Sequence, residues 1–504
     1  MKYLQKLVFT LFCLMCFTNN YAQQATPYFT NNNDQKYITY LINSGKLKLD
    51  HPLCQPYTYE ELNKALPKKQ TEYDKHWCDN IYQQTDKISS IDTSYGSAYL
   101  EGAAFGHMNY NENKTTSDLS LNPALGYFYK NFGMFYRLDA NTAYLKDTLY
   151  FGSIGKMLEK NFARASDAWI QLDGKHTRIF AGRMSRNYGI PLIQGLLISN
   201  NPFSYDHLAF EAFNHNLKFT YFVTRLEDIN GYDIRDSVPV HTLSKRFLTF
   251  HRLDFAIGKK LQMAISEAIL FGGKDNFPMF QYLNPLNVYF LSKMSDRKNY
   301  QEGSANALMC IDLFFKPIKK ISIYGQFLVD DIDFKKSLSD TFPNRLGFLG
   351  EIVYSDPFPG TQIYLNYNRI NNWTYNSFYT WGNYTFYGKS LGNAMNGTES
   401  ITLGMDIFRY SPFIISLDIK HSRFRKQDME SPFIAIKTNF PIGIAEQITS
   451  TGFELVYYPT YNIHISIGAD YGYYKNYNHI SANNKCMPSV FCKLSLIDIK
   501  SLKY

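Results

Sequence analysis

Apolar and polar residues alternate along most of this chain with a period of two. In residues 362–368, Ile363, Leu365 and Tyr367 fall on one face, and the residues between them fall on the other. The same alternation recurs elsewhere, at residues 250–257, 415–420 and 463–470. Because successive side chains of a strand point to opposite faces, the pattern predicts a long series of amphipathic β-strands.

The length of this series decides between two kinds of β-protein. A sandwich and a membrane barrel both alternate, but a sandwich turns its polar face to water, whereas a barrel turns its apolar face to lipid. The alternation begins near Tyr95 and runs for roughly 410 residues, more than one sandwich core usually holds. About 22 to 23 residues for each strand and its connection give about eighteen strands. We therefore predict an antiparallel outer-membrane β-barrel over residues 92–504, ending on the aromatic Tyr504.

Composition agrees with a barrel. Aromatic residues make up 17% of the chain, with 41 tyrosines, whereas charged residues make up only 19%. Aromatic girdles at the two membrane interfaces use Tyr, Trp and Phe in this way. After the amino-terminal segment, no unbroken apolar run reaches the roughly 18 residues that a membrane-spanning helix needs.

Residues 1–22 have the pattern of a cleaved signal peptide. Lys2 and Lys6 precede an apolar stretch at residues 7–17, and Ala22 is the expected last residue removed. Because such a signal directs the chain through the inner membrane, the sequence predicts a protein of the cell outer membrane with outer-membrane lipid around its wall.

Between Gln23 and about Ile91 the apolar spacing is helical instead of alternating. Two apolar stripes recur at intervals of three and four residues, formed by Tyr37, Ile38, Leu41 and Ile42 and by Tyr73, Trp77 and Ile81. Thr58 and Glu61 have the spacing of a capping box at a helix start. Residues 23–91 are therefore predicted to form a small periplasmic helical bundle or plug.

The connections between predicted strands differ in length. Short ones, near residues 258–260, 317–319 and 459–461, are predicted to be tight periplasmic turns. Long ones, rich in Asn, Gly and Tyr, lie near residues 272–306, 331–345, 371–400, 421–445 and 472–487. If both chain ends are periplasmic, the long loops face outward or fold into the lumen.

Charge and reactive residues exclude several classes of function. The formal net charge of +8 is too small to indicate nucleic acid and fits an anionic glycan, lipopolysaccharide or an ordinary basic surface. The cysteines after the signal have no zinc or redox spacing, so no metal or cofactor is expected. Cys54 and Cys78 flank part of the helical region, where a periplasmic disulfide between them is one alternative. The histidines are scattered without an adjacent nucleophile, so catalysis is not expected.

An acidic cluster follows the predicted strand that ends at Val329. It consists of Asp330, Asp331 and Asp333. Such carboxylates bind calcium or hold the hydroxyl groups of a sugar. The alternative is a solvated loop start, or pairing with a lumen arginine such as Arg369.

Aromatic and amide residues crowd the segment that follows residue 371. Trp373, Tyr375, Trp381 and Tyr384 stand among several asparagines. Aromatic faces bind the apolar C–H side of a pyranose ring, and amides bind its hydroxyl groups. An interfacial girdle uses the same aromatic residues at strand ends, so both interpretations stay open.

Charged residues within predicted strands indicate a network inside the barrel. Arg183, Arg186, Arg252 and Glu267 are its candidates. Arginines paired with carboxylates commonly rigidify a barrel wall from the lumen side. A grip of Arg183 on an acidic sugar is the alternative.

Several short strings occur in the order and spacing of one known family. They are Ala181-Gly182-Arg183, Leu197-Ile198-Ser199-Asn200-Asn201-Pro202-Phe203, Phe250-His251-Arg252-Leu253, Gln281-Tyr282-Leu283-Asn284-Pro285-Leu286, Tyr324-Gly325-Gln326 and Tyr367-Asn368-Arg369. In them the chain resembles the Wzi capsule-assembly family, in the form found in Bacteroidetes-like genomes. It departs at Tyr188-Gly189-Ile190-Pro191, where the family commonly has Trp-Gly-Pro-Gly.

The resemblance implies a barrel whose periplasmic side is partly closed by the amino-terminal helices. It also implies a non-enzymatic, lectin-like role in which the barrel binds capsular or exopolysaccharide and anchors it at the cell surface. The candidate sugar contacts are the acidic cluster, Arg369 and the four aromatic residues above. The alternative function is a porin-like diffusion channel with a partial helical plug. A periplasmic export partner is suggested only by the position of the helices.

Overall fold

Antiparallel strands form one closed barrel in the computed structural model. The structure describes residues 32–67, 70–89, 97–111, 114–150, 162–231, 242–258, 260–273, 280–295, 305–332, 343–426, 429–430, 433 and 439–503, so the predicted signal peptide lies outside it. Within these residues we count eighteen barrel strands, and the first pairs with the last along its whole length. The predicted fold class and strand number are confirmed.

The barrel strands are named β1 to β18 in chain order. Their bounds are Ser97–Asn111 (β1), Lys114–Leu121 with Ala124–Tyr129 (β2), Phe132–Asn141 (β3), Ala163–Asp173 (β4), Thr177–Met184 (β5), Tyr205–Phe213 (β6), Leu217–Arg225 with Ile229–Gly231 (β7), Thr242–Ile257 (β8), Leu261–Gly273 (β9), Ala305–Ile318 (β10), Ile321–Asp331 (β11), Arg345–Ser355 (β12), Thr361–Ile370 (β13), Thr398–Ile407 (β14), Phe413–Phe424 (β15), Glu446–Thr460 (β16), Ile463–Lys475 (β17) and Lys485–Lys503 (β18). The interruption of β2 falls at Pro123, which has no N–H for the ladder.

The outer wall of the barrel is apolar. Side chains alternate across each strand, and the outward ones include Ile170, Leu253, Ile265, Leu365, Leu403 and Ile467, all exposed. The inward residues of the barrel strands include buried polar groups such as Asp312 and Gln326. An apolar exterior with a polar interior is the arrangement that lipid around a barrel requires.

The short connections lie at one end of the barrel, which we call the short-turn end. Two of the predicted turns are displaced: β10 continues through Pro317 and β16 through Pro459, so the chain turns at residues 319–320 and 461–462. Both prolines lie where the strand register shifts. A bulge leaves a residue unpaired, so a proline is tolerated there without ending the strand.

Three helices close the short-turn end: Asn32–Asn43 (α1), Tyr59–Ala65 (α2) and Glu72–Ser89 (α3). The predicted capping box at Thr58 and Glu61 is present at the start of α2. Trp77 donates its indole N–H to the carbonyl of Phe408 at 3.0 Å, and Lys46 pairs with Asp356 at 3.1 Å. Both partners lie in short turns, so the helices fill the barrel mouth there. No described helix is long and apolar enough to cross a bilayer.

The alternative of a disulfide between Cys54 and Cys78 is wrong. Both are buried free thiols. Cys54 donates to the carboxylate of Asp254 at 3.3 Å, on the barrel wall, whereas Cys78 belongs to α3. The two cysteines therefore serve different contacts of the helical bundle.

Candidate functional site

Two loops from the opposite, long-loop end fold into the lumen. We call residues 185–204 the inner segment and residues 371–397 the cap. At its lower end the inner segment pairs with Cys54 and Gln55 beside the helices. At its upper end Ser199 N–H donates to the carbonyl of Leu391 at 2.9 Å, within the cap. A hydrogen-bonded path therefore runs through the lumen from the helices to the cap.

The inner segment and the cap approach closely at Gly392. A Cβ atom at this position would lie 2.1 Å from the carbonyl oxygen of Leu196. The Tyr375 hydroxyl donates to the same carbonyl oxygen, and Asn201 donates to the carbonyl of Ser390 at 2.8 Å. Only glycine fits between these two backbones.

Arg246 holds the cap to the barrel wall. This fully buried residue of β8 donates to the carbonyl oxygens of Trp381 and Thr385, each at 3.0 Å, and to that of Asn383. It also pairs with Glu227, at 2.8 Å. The planar guanidinium can serve several carbonyl groups at once, so one side chain fixes the irregular backbone around residues 381–385.

Arg345 provides a second attachment and explains two predicted site residues. It lies 2.9 Å from Asp331 and 3.4 Å from Asp330, and it also donates to the carbonyl of Asn376. Asp330 is fully buried and accepts the N–H of Tyr375 at 2.8 Å. These two acids therefore hold the cap in place with Arg345, not with Arg369. Asp333 lies outside the described residues.

The predicted aromatic residues build the cap itself. Tyr375 and Tyr384 are fully buried and stack on each other with ring centroids 5.9 Å apart, and burial raises the pKa of both hydroxyls. The guanidinium of Arg425 lies over the ring of Trp373 at 5.1 Å. Trp381 stacks on Tyr379 and stays partly exposed. A girdle on the lipid face is therefore the wrong interpretation of this segment.

The predicted lumen network divides between the two faces of the wall. Arg252 faces the lumen and pairs with Asp254 and Asp312 at 2.7 and 2.8 Å, and Arg186, just after β5, pairs with Glu211 at 2.8 Å. The prediction that Arg183 and Glu267 also face the lumen is wrong. Arg183 and Glu267 fall at outward positions of their strands, Arg183 beside Asp206 and Glu267 beside His251.

Arg369 also lies on the outer face, away from the cap aromatics. Side chains alternate along β13, so Arg369 shares the outward face of Leu365 and Tyr367. It pairs with Glu399 at 3.2 Å. Arg423 pairs with the same carboxylate, and both guanidinium groups lie over the ring of Phe440. The predicted site residues therefore do not form one cluster.

An open groove at the rim of the long-loop end was missed by the sequence analysis. It has a volume of about 730 Å³, lies between the ends of β5, β6 and β7, and is lined by Asp206, Arg225, Glu227, Asp228 and Tyr387, among others. Tyr387 occupies the tip of a hairpin in the cap with a positive φ of 47°, ahead of Gly388, and donates its N–H to Glu227 at 2.8 Å. We call this site the rim groove.

The residues that line the rim groove suit a polar ligand. Arg225 donates to both carboxylate oxygens of Asp228, at 3.0 and 2.8 Å, whereas Asp206 pairs with Arg183 and Glu227 with Arg246. Carboxylates accept hydrogen bonds from sugar hydroxyls, and a tyrosine ring packs against sugar C–H groups. Among the described residues, no group of three His, Cys, Asp or Glu residues could hold a metal ion.

The fold is shared with known outer-membrane proteins. Wzi from Escherichia coli, an outer membrane protein involved in group 1 capsule assembly and a carbohydrate-binding β-barrel, matches with a TM-score of 0.62 and 13% identity. The match covers 93% of this chain and 99% of Wzi. The resemblance to Wzi seen in the sequence is confirmed at the level of the fold. No protein-family model and no curated protein sequence matches the chain.

Two solved structures from Pseudomonas aeruginosa match with lower TM-scores. OccK8 (OprE) from Pseudomonas aeruginosa gives a TM-score of 0.47 at 9% identity, covering 80% of this chain and 98% of its own. OprD from the same organism gives a TM-score of 0.45 at 10% identity, covering 82% of this chain and 95% of its own.

The closed barrel and its apolar outer wall place this protein in the outer membrane, in contact with lipid.

Proposed function

We propose that this protein binds capsular or exopolysaccharide at the long-loop end of the barrel and holds it at the cell surface, without catalysing a reaction. The observation that carries the proposal is the rim groove, where Asp206, Asp228 and the partly exposed Tyr387 ring line an open surface beside the cap. Repeating sugar units multiply modest contacts, so a polymer suits a shallow open site. The carbohydrate binding described for Wzi, which has the same fold, supports this proposal.

The segments inside the lumen favour binding over diffusion. The helices, the inner segment and the cap are joined by hydrogen bonds along the barrel axis. A diffusion channel needs a water-filled passage, whereas an anchor gains from a rigid surface that loses little entropy when a ligand binds. Among the residues predicted to contact sugar, Trp381 stays a candidate because it is partly exposed. The buried Trp373, Tyr375, Tyr384 and Asp330 support the surface from below.

The test is the binding of polysaccharide purified from the producing cell to detergent-solubilised protein. We expect saturable binding by the wild type and a loss of about tenfold in affinity, or about 1.4 kcal/mol, for Tyr387→Ala combined with Asp228→Asn. Phe358→Ala is the matched control, because this exposed ring lies in a turn at the opposite end of the barrel. Its affinity should equal that of the wild type.

Two results would contradict the proposal. If wild-type protein binds no surface polysaccharide and conducts ions steadily across a planar bilayer, it is a channel. If Phe358→Ala weakens binding as much as the rim variant does, the rim groove is not the site. Trp381→Ala then tests whether the polysaccharide also contacts the cap. If it does, the affinity of the protein for the polysaccharide falls with this change as well.

A further inference from the structure

A loop from the long-loop end lies against the outside of the barrel. Its described part, residues 280–295, contains two short helices, Phe280–Leu283 (α4) and Tyr289–Ser295 (α5). Tyr282 and Tyr289 pack on the outward residues Ile269 and Phe271 of β9. We call this segment the outer hairpin.

The outer hairpin covers the upper half of the wall only. The outward residues Thr249, Ile269 and Phe271 are 0 to 1% exposed. Two residues below His251 and Glu267 on the same strands, the outward residues Leu253 and Ile265 are 38% and 44% exposed. The hairpin therefore descends from the rim and stops near the middle of β8 and β9.

The depth of this contact is within the lipid-facing belt. Glu267 is six residues from the start of β9 at the short-turn end. At about 3.3 Å per residue and a strand tilt of about 40°, these residues rise roughly 15 Å. The apolar band of an outer-membrane barrel is about 25 Å tall, so Glu267 and the hairpin above it lie beside the outer half of the bilayer.

Two backbone groups of the hairpin are bonded to the wall. Tyr289 N–H donates to the carboxylate of Glu267 at 2.9 Å, and the Tyr221 hydroxyl donates to the carbonyl of Leu283 at 2.7 Å. His251 lies 3.1 Å from the same carboxylate, under the Tyr289 ring at 4.5 Å between centroids. Outward polar residues on a lipid-facing wall are costly unless a protein segment covers them.

The turn between α4 and α5 bonds to itself. Leu286 N–H donates to the side-chain oxygen of Asn284 at 3.1 Å, and Asn287 donates its side-chain amide to the carbonyl of Gln281 at 2.9 Å. Pro285 brings no N–H that needs a partner. Irregular backbone is tolerated at membrane depth where its polar groups are satisfied in this way.

The free surface of the hairpin is mostly apolar. Phe280, Leu286 and Leu291 are 89%, 84% and 61% exposed. We propose that residues 280–295 form a re-entrant hairpin in the outer half of the bilayer, with Phe280, Leu286 and Leu291 in contact with lipid acyl chains. The covered wall, the backbone hydrogen bonds to the wall and within the turn, and the three exposed apolar side chains all fit acyl chains as the occupant. This inference does not depend on the proposed polysaccharide function.

The experiment places a nitroxide spin label on Leu286→Cys in protein carrying Cys486→Ser and Cys492→Ser, reconstituted in phosphatidylcholine vesicles. The other described cysteines are buried. Oxygen enters acyl chains and a nickel chelate stays in water, so their collision rates with the label report its surroundings. Ile265→Cys is the lipid-side control, and Ile480→Cys, exposed in the turn between β17 and β18, is the aqueous control.

We expect the ratio of oxygen to nickel collisions at Leu286 to match that at Ile265 and to exceed that at Ile480 several-fold. A ratio equal to that at Ile480 would place the hairpin in water and overturn the proposal. A label shielded from both reagents would mean that protein, such as a second copy of this chain, covers the surface, and would overturn it as well. Leu291→Cys repeats the measurement if the first variant does not fold.

A second measurement tests how the hairpin is attached. Glu267→Ala removes the acceptor for Tyr289 N–H, whereas Glu267→Gln keeps a carbonyl oxygen there. The label on Leu286 should become more mobile in the alanine variant and change little in the glutamine variant. Heat-modifiable electrophoretic migration checks that the barrel is intact in both. Unchanged mobility in a folded Glu267→Ala protein would contradict this attachment.

Discussion

The short-turn end of the barrel is closed by helices that pack through aromatic rings, whereas the long-loop end is closed by irregular chain that arginines hold in place. At the first end Trp77 packs against Tyr37, Phe408 and Tyr458, with ring centroids 5.4 to 6.2 Å apart. At the second end Arg246 and Arg345 bond carbonyl groups of the cap. Helices satisfy their own backbone and need only apolar packing, but irregular chain needs donors from elsewhere.

The difference has a consequence for function. The helical closure combines ring packing with polar contacts to the turns, such as that of Lys46 with Asp356, so these polar groups already have protein partners. A closure made by polar contacts places carboxylates, amides and rings at the surface, as at the rim groove. The long-loop end is therefore the better binding surface, and the short-turn end is the better plug.

The largest expected effect is on the helical closure. Trp77→Ala removes a fully buried ring and its bond to Phe408, and should destabilise the bundle by about 4 kcal/mol. Hydrogen exchange should speed up in α1 and α3, while the cap keeps its protection. Equal loss of protection in the cap would show that the two closures form one cooperative unit. Trp77→Phe, which keeps most of the packing, is the control.

Breaking the polar closure should have the converse effect. Arg246→Met removes the donor to three cap carbonyls and leaves Glu227 without its guanidinium partner, at a cost of about 3 kcal/mol. Exchange should then increase in residues 379–386 and not in α3. Arg246→Lys keeps the charge but not the planar fork, so it should restore only part of the protection. Full protection of the cap in the Arg246→Met variant would show that Arg246 does not hold the cap in place.

A smaller effect should follow from crowding the contact between the inner segment and the cap. Gly392→Ala places a methyl group against the Leu196 carbonyl and should cost about 2 kcal/mol, seen as a lower melting temperature of the cap. Gly102→Ala is the matched control, because a Cβ atom there meets nothing within 4 Å. An equal effect of the two substitutions would mean that the close approach does not matter.

The smallest effect concerns thiol reactivity, which should differ between the ends without a change in stability. Burial, and then the nearby Asp74, raises the pKa of the Cys78 thiol to about 12, so the reactive thiolate is scarce at neutral pH. Burial and Asp254 raise the pKa of Cys54 too. A maleimide should therefore label the exposed Cys486 in folded protein and reach the other two only after unfolding. Fast labelling of Cys78 would show that the bundle opens readily.

The same contrast explains what could be predicted from the sequence. The helices have local signals, such as the capping box at Thr58, and the strands have a period of two, so the fold and the strand number follow from the sequence. The cap depends on contacts between residues far apart in the chain, such as Arg246 with Trp381 and Arg345 with Asn376. No local pattern marks such a pair.

Two further errors have a physical cause. Glu267 and Arg183 are charged residues of barrel strands, and a charge was expected to face the lumen. Their alternation places them outside, where the outer hairpin covers Glu267 and Asp206 pairs with Arg183. The rim groove joins the ends of three strands to the hairpin tip at Tyr387, and only the turn chemistry of Tyr387 and Gly388 was visible in advance.

The conductance of wild-type protein in a planar lipid bilayer tests most directly the claim that the barrel is closed at both ends and serves as an anchor. The account predicts no steady open steps, because the helices, the inner segment and the cap together obstruct the lumen. Steady porin-like steps in correctly folded wild-type protein would contradict it, since ions would then have a passage that these contacts should obstruct.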